Sequence, residues 1–180
     1  MDTVSEFANL CRELGGWVEE SPGEVWCHVE PYEVLRAMDR LRGIAEEHVE
    51  REGEPHLTIG NDLLHIVVVP RGGVELHLDL PIRVWRRPSE KDTGRVCQSA
   101  YDAVLDAVAR SVNPVDVTEL VDFTGLDIIE CTDREDTVIV LIQTGSIPPK
   151  EMWRVEKLLG IAARTLPEII ARAKKAAQPR

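Results

Sequence analysis

Residues 56–85, HLTIGNDLLHIVVVPRGGVELHLDLPIRVW, contain three β-rich runs separated by two groups of turn-forming residues. The turn formers are GND at 60–62 and PRGG at 70–73. From Val74 to Leu80, apolar and polar residues alternate, which is typical of a strand with one face on a core and the other in solvent. The stretch therefore predicts a three-stranded antiparallel meander.

Helical patterns lie on both sides of this meander. Apolar residues recur at spacings of three and four over 34–49 and 96–108, and again from Met152 onward. A strand hairpin is predicted over 126–143, while 115–123 fits either a strand or a short helix. The chain is thus predicted to be an α+β protein, in which an antiparallel sheet of a meander and a hairpin packs against helices.

The N-terminal part adds a helix and a further hairpin to this order. Thr3 and Glu6 have the spacing of a capping box, and SPG at 21–23 suits a hairpin turn. A chain of 180 residues can bury an ordinary core, so residues 1–180 are expected to form a single domain. The polar segment 86–94, RRPSEKDTG, is the candidate for a long loop or a weak boundary.

Composition and charge restrict the class of function. A net charge of −11 disfavours nucleic acid and anionic membranes as partners of the molecule as a whole. No apolar run approaches the length of a membrane span, and the acidic start MDTVSEF lacks the pattern of a secretory signal, so a cytoplasmic location is expected. Arg greatly outnumbers Lys, and Asn and Gln together number six, which favours a thermophilic source.

The motifs of common catalytic and cofactor sites are missing from the sequence. Cys11, Cys27, Cys97 and Cys131 lie far apart without a C-x-x-C pair, so buried, reduced thiols are expected rather than a zinc ribbon or a thioredoxin-like centre. No phosphate-binding glycine loop, G-x-S-x-G elbow or H-E-x-x-H pair occurs. We therefore expect no catalytic residues and no cofactor.

Two histidines of the meander, His65 and His77, are candidates for a ligand site together with Asp79. If Val69 pairs with Val74 across a four-residue turn, His65 and His77 lie on opposite faces of the sheet. They cannot then bind one ion, so the sequence predicts no metal site, although a one-residue bulge would reverse this placement. A small-molecule pocket over the sheet that uses His65, His77 or Asp79 stays open as an alternative.

Residues 82–88, IRVWRRP, depart locally from the acidic composition. Arg83, Arg86 and Arg87 surround Trp85, and arginines beside an exposed aromatic ring can bind an acidic peptide, a phosphate or a stacked base. The other interpretation is a strand end whose arginines pair with local carboxylates.

Three segments carry a resemblance to a known family: HVEPYEVLRAMDRL, HLTIGNDLLHIVVVPRGGVELHLDLPI and TVIVLIQTGSIPPKEMWRVEKLL. From Pro31 onward the order of elements resembles the type III secretion chaperone-like fold, including YbjN-type proteins. This resemblance implies an acidic, often dimeric module that binds other polypeptides without catalysis. The N-terminal helix and hairpin depart from that pattern.

The sequence thus favours a non-catalytic, protein-binding or chaperone-like module that forms a homodimer. Two alternatives are a small-molecule-binding protein or enzyme subunit with a pocket over the sheet, and nucleic-acid or phosphate binding through Arg83, Trp85, Arg86 and Arg87.

Overall fold

The structure is a computed structural model and describes residues 2–178. Within that part of the chain it has helices on a largely antiparallel sheet, which confirms the predicted α+β class. The α-helices are α1 (Thr3–Glu13), α2 (Pro31–Leu35), α3 (Met38–His48), α4 (Glu90–Ser111), α5 (Pro114–Val121) and α6 (Met152–Lys175). The strands are β1 (Trp17–Ser21), β2 (Glu24–His28), β3 (His56–Gly60), β4 (Leu64–Val68), β5 (Val74–Arg83), β6 (Asp127–Arg134) and β7 (Thr137–Gln143).

The strands lie in the order β1-β2-β3-β4-β5-β7-β6. Antiparallel pairing joins β1 to β2, β3 to β4 and β6 to β7. Strands β2 and β3 pair in parallel, because the chain returns through α2 and α3 before it starts β3. The parallel pair, which the sequence pattern did not predict, adds the N-terminal hairpin to the edge of the meander.

The structure corrects two predicted helices and decides between the two alternatives for a third segment. The second helix is split into α2 and α3, since Ala37 between them has a φ of −123°. The ambiguous segment 115–123 is largely helical, because α5 starts with a proline and the side chain of Asn113 accepts a hydrogen bond from the Asp116 amide. The spacing of Thr165 and Glu168 around Pro167 predicts that the C-terminal helix stops and restarts there, but α6 runs through Pro167 without a break.

The predicted capping box at Thr3 is also corrected. Asp2 caps α1, and its side chain accepts a hydrogen bond from the Ser5 amide. Thr3 is buried instead, with its hydroxyl 2.7 Å from Nδ1 of the buried His48. Nε2 of His48 lies 2.7 Å from the carbonyl oxygen of Pro55, so His48 ties α1 to the chain after α3.

The chain forms two compact units. The first contains the residues up to His77 together with Thr144–Gly160, and the second contains Leu78–Gln143 and the residues from Ile161 onward. The polar segment 86–94 lies inside the second unit, where α4 already begins at Glu90. In the first unit, the core next to α1 and α3 contains Phe7, Leu10, Leu41, Leu57 and Ile59. In the second unit, α4 packs on β7, and the core between them contains Val96, Ala100, Val104, Val138 and Val140.

The prediction of reduced thiols is wrong, because all four cysteines form disulfides in the structure. Cys11 is bonded to Cys27 in the first unit, and Cys97 is bonded to Cys131 in the second. Spacing along the sequence does not determine such pairing.

Disulfides are typical of oxidising compartments and of the cytoplasm of hyperthermophiles, so the cytoplasmic location stays a prediction. Among the described helices, none is both long and apolar enough to cross a membrane.

Candidate metal centre

The turn between β4 and β5 decides where the two histidines lie. The Val69 amide donates to the Gly73 carbonyl at 2.9 Å, which leaves Pro70, Arg71 and Gly72 as the loop. Arg71 completes this short turn with a φ of 60°. The loop is therefore one residue shorter than a turn that pairs Val69 with residue 74.

A shift of one residue in a strand register moves every side chain to the other face. The predicted placement of His65 and His77 on opposite faces is accordingly wrong. Their rings lie on one face of the first unit, with centroids 5.4 Å apart. His65 is almost fully buried and His77 is partly buried.

The backbone orients the His65 ring. Its Nδ1 lies 3.0 Å from the carbonyl oxygen of Asn61, and because a carbonyl only accepts, Nδ1 carries a proton. In the neutral ring Nε2 then has the lone pair. The Asn61 side chain accepts hydrogen bonds from the amides of Leu63 and Leu64, at 3.0 and 2.9 Å, which fixes the turn. Metal-binding histidines commonly donate their second ring nitrogen to a carbonyl in this way.

A carboxylate orients the His77 ring. Nε2 of His77 lies 2.8 Å from Oε1 of Glu75, two residues earlier on β5. In the neutral ring this bond places the proton on Nε2 and leaves the Nδ1 lone pair for a ligand. Asp79 follows two residues later on the same strand and shares that face. The candidate ligand atoms of His65 and His77 lie within 4.8 Å of each other.

The histidine pair continues into a row of rings across the first unit, which we call the imidazole–indole row: Trp17, Trp26, His28, His65 and His77. Trp26 lies 4.8 Å from His65, the His28 ring stacks 5.0 Å from Trp26, and Trp17 stacks 4.0 Å from His28. The row gives the candidate centre an aromatic wall on one side.

Gly60 makes this row possible. It pairs with His28 of β2 on one side and with His65 of β4 on the other. A Cβ atom at Gly60 would lie only 2.8 Å from the Cβ of His65, so a side chain here would displace that ring. The Gly60 carbonyl also accepts a hydrogen bond from Nε1 of Trp26 at 3.3 Å.

The predicted cluster of Arg83, Trp85, Arg86 and Arg87 divides between two grooves of the second unit. Arg83 and the exposed Trp85 line a groove of about 440 Å³ with Lys174. Arg83 also donates to Oδ2 of Asp136 at 3.1 Å, and this guanidinium holds the pKa of Asp136 below its ordinary value. This ion pair matches the alternative of a strand end paired with local carboxylates.

Arg87 lines a different groove, of about 800 Å³, together with residues that surround Cys131. Arg86 lines neither groove. The four residues lie within one five-residue stretch but do not line a common groove.

Sequence reasoning missed three members of the imidazole–indole row, Trp17, Trp26 and His28. A signal was present in the spacing of Trp26 and His28, which places both rings on one face of a strand. The sequence offers no signal that β2 pairs with β3, and that pairing brings the rings beside His65.

Comparisons of this chain with protein-family models, with curated proteins and with solved structures give no match. Fold and site together therefore define it as an α+β protein with a histidine-rich centre on one face of its sheet. The resemblance to the secretion chaperone-like fold stays a prediction.

Proposed function

We propose that this chain is a binding protein for a divalent transition-metal ion of the zinc type. His65 and His77 are its ligands. The observation that carries the proposal is the pair of imidazole rings 5.4 Å apart, each oriented by a hydrogen bond at one nitrogen.

The type of donor selects the metal. Imidazole nitrogen suits zinc, copper and nickel, whereas magnesium and calcium take oxygen ligands. A zinc ion that takes only two histidines from the protein keeps further positions for water or another ligand. We therefore expect an open centre rather than a closed structural one.

The distances allow such a centre with small side-chain movements. Ligand bonds of about 2.0–2.1 Å in a tetrahedron place neighbouring ligand atoms about 3.3 Å apart. The candidate atoms of the two histidines lie within 4.8 Å of each other, so their side chains must approach by up to about 1.5 Å. Rotation about side-chain bonds supplies this movement without a change in the backbone.

The experiment is a titration of tag-free, chelator-treated protein with Zn²⁺ by calorimetry and with Co²⁺ by visible spectroscopy. We expect one ion per chain, and an affinity reduced about 100-fold or more in His65→Ala and in His77→Ala. Glu75→Gln should lose about tenfold, because it orients a ligand without being one. Binding should also weaken on acidification, since protons compete for the ligand atoms.

His56 provides the matched control, because it is an exposed histidine at the start of β3. The His56→Ala variant should bind Zn²⁺ as the unaltered protein does. The proposal is rejected if the unaltered protein binds no ion stoichiometrically, or if His65→Ala retains full affinity.

The edge of the sheet favours a second candidate function, the binding of a protein partner. Strand β6 pairs with β7 on one side, and no other described strand covers its outer edge. It is exposed along nearly its whole length, including Ile129 at an irregularity in the register. Unpaired backbone groups on such an edge can bind an added strand.

We propose that the occupant of this edge is an extended, basic segment of another protein. Asp127, Glu130 and Asp133 give β6 an acidic surface, and the chain as a whole has a net charge of −11. Ile129 supplies an apolar anchor, with 59% of its surface exposed. This proposal keeps the protein-binding function that the sequence favours.

A labelled peptide of alternating lysine and valine tests this candidate by fluorescence anisotropy at low salt. We expect Ile129→Arg to weaken binding about tenfold or more, by loss of the anchor and by like-charge repulsion. Trp17→Arg is the control, since Trp17 is a similarly exposed apolar residue, at 60%, on the other edge strand, β1. Equal affinities for the two variants would exclude the β6 edge. A free protein that sediments as a dimer, and that Ile129→Arg dissociates, would assign the edge to a second copy instead.

A further inference from the structure

The two disulfides differ in their access to solvent. Cys11 and Cys27 are both fully buried, at 0% exposure, between α1 and β2. In the other pair Cys97 is buried on α4, at 2% exposure, but Cys131 lies at an exposed position of the edge strand β6. A dissolved thiol can therefore reach the second disulfide from the Cys131 side.

Cys131 also lines a groove large enough for a small peptide-like thiol. The groove has a volume of about 800 Å³. Arg87 lies at its wall and offers a guanidinium to a carboxylate. The other residues that line it are Pro88, Glu90, Thr93, Gly94, Thr132 and Asp133.

We propose that the Cys97–Cys131 disulfide is a thiol-exchange site, at which a low-molecular-weight thiol with a free carboxylate forms a mixed disulfide with Cys131. This proposal is independent of the proposed metal site, which uses His65 and His77. It assigns Cys131 as the sulfur that is attacked and Cys97 as the sulfur that leaves.

The exchange proceeds in two balanced steps. The thiolate of the small thiol attacks Sγ of Cys131 and forms a new S–S bond; the Cys97–Cys131 bond breaks, and Cys97 leaves with the electron pair and takes a proton from water. A second thiolate then attacks the outer sulfur of the mixed disulfide, which releases the Cys131 thiolate and an oxidised, disulfide-linked dimer of the small thiol. Two thiols are oxidised for each protein disulfide that is reduced. In the reverse of the first step, Cys97 attacks Cys131 and expels the small thiol.

Access determines the direction of attack. A thiolate must approach the sulfur in line with the S–S bond, and Cys97 is buried, with 2% of its surface exposed. Reduction at this site would also remove the covalent link between α4 and the edge strand β6, while leaving the link between α1 and β2 intact.

The test uses the full chain, treated with reduced glutathione, quenched with acid, alkylated and mapped by peptide mass spectrometry. We expect glutathione on Cys131 and the alkyl label on Cys97, at a rate at least about tenfold above the opening of Cys11–Cys27. The buried disulfide is thus the internal control. An adduct on Cys97, equal rates for the two disulfides, or free thiols at Cys97 and Cys131 in the freshly purified protein would each overturn the proposal.

A pair of arginine variants tests the role of the groove. Arg87→Ala should slow the reaction with glutathione severalfold but leave the reaction with uncharged 2-mercaptoethanol unchanged, because only glutathione offers a carboxylate. Arg86→Ala is the matched control, since this neighbouring arginine does not line the groove, and it should react as the unaltered chain does. If Arg87→Ala slowed the reactions with both thiols equally, Arg87 would not recognise the carboxylate of the thiol. That result would contradict the proposal.

Discussion

Replacing Gly60 with alanine is expected to lower the free energy of unfolding by about 3 kcal/mol or more. A Cβ atom at this position would lie 2.4 Å from the carbonyl oxygen of Leu64 and 2.7 Å from the Cα of His65. Both are backbone atoms of a paired strand, so they cannot move aside without breaking the pairing of β3 with β4. Gly60 also has a φ of +141°, a conformation that side-chain-bearing residues rarely adopt.

Denaturant unfolding followed by circular dichroism measures this effect, and Gly43→Ala provides its control. Gly43 lies within α3, and a Cβ there would meet no atom within 4 Å. Alanine at that helical position should therefore stabilise the protein by about 0.5–1 kcal/mol. The two glycine variants are thus expected to have effects of opposite sign. If the Gly60→Ala protein had the same free energy of unfolding as the unaltered chain, the strands around residue 60 would accommodate a Cβ atom without loss of stability, and the prediction would be wrong.

The second large effect is expected from the double variant Cys11→Ala, Cys27→Ala. Its free energy of unfolding should fall by about 3 kcal/mol, because the disulfide closes a loop of sequence separation 16 and restricts the unfolded chain. Both sulfur atoms are fully buried, so their removal also takes away packing in the core of the first unit.

Thermal or denaturant unfolding with and without a strong reductant measures this contribution. Without reductant, the double variant should unfold at a lower midpoint than the unaltered protein. When every disulfide has been reduced, the difference between the two proteins should shrink to the packing contribution alone. Equal midpoints under oxidising conditions would mean that this disulfide adds no stability.

Much of the fold follows from local pattern, and those parts could be predicted. The alternation from Val74 to Leu80 indicated which face of β5 is buried, and the structure confirms it with Leu76 and Leu78 inside. The turn at 21–23 likewise indicated the hairpin of β1 and β2. These features depend on residues that are close together in the sequence, so the conformational preferences of those residues are enough to predict them.

The parts that could not be predicted depend on contacts between distant residues. The parallel pairing of β2 with β3 has no local signature, and neither does the choice of partner for each cysteine. Both are decided when elements far apart in the sequence pack together.

The candidate site shows how far a single residue can matter. His65, His77 and Asp79 were identified as candidates together, but the assumed pairing of Val69 with Val74 separated the two histidines. The Val69–Gly73 hydrogen bond shortens the loop by one residue and reverses that conclusion. The sequence of a glycine-rich turn does not determine the length of its loop, because several turn types accept the same residues.

The discontinuous first unit has a consequence for the synthesis of this protein on the ribosome. Val74 exchanges backbone hydrogen bonds with Ile147, at 2.8 and 2.9 Å, so the start of β5 is completed by a segment made much later. The buried Met152, Val155 and Leu159 of that unit are also translated after the whole of β6 and β7. Because chains emerge from the N-terminus, the nascent first unit carries uncovered apolar surface during most of translation. Its protection by cellular chaperones, or rapid translation of the remaining chain, would therefore determine how much of the newly made protein escapes aggregation.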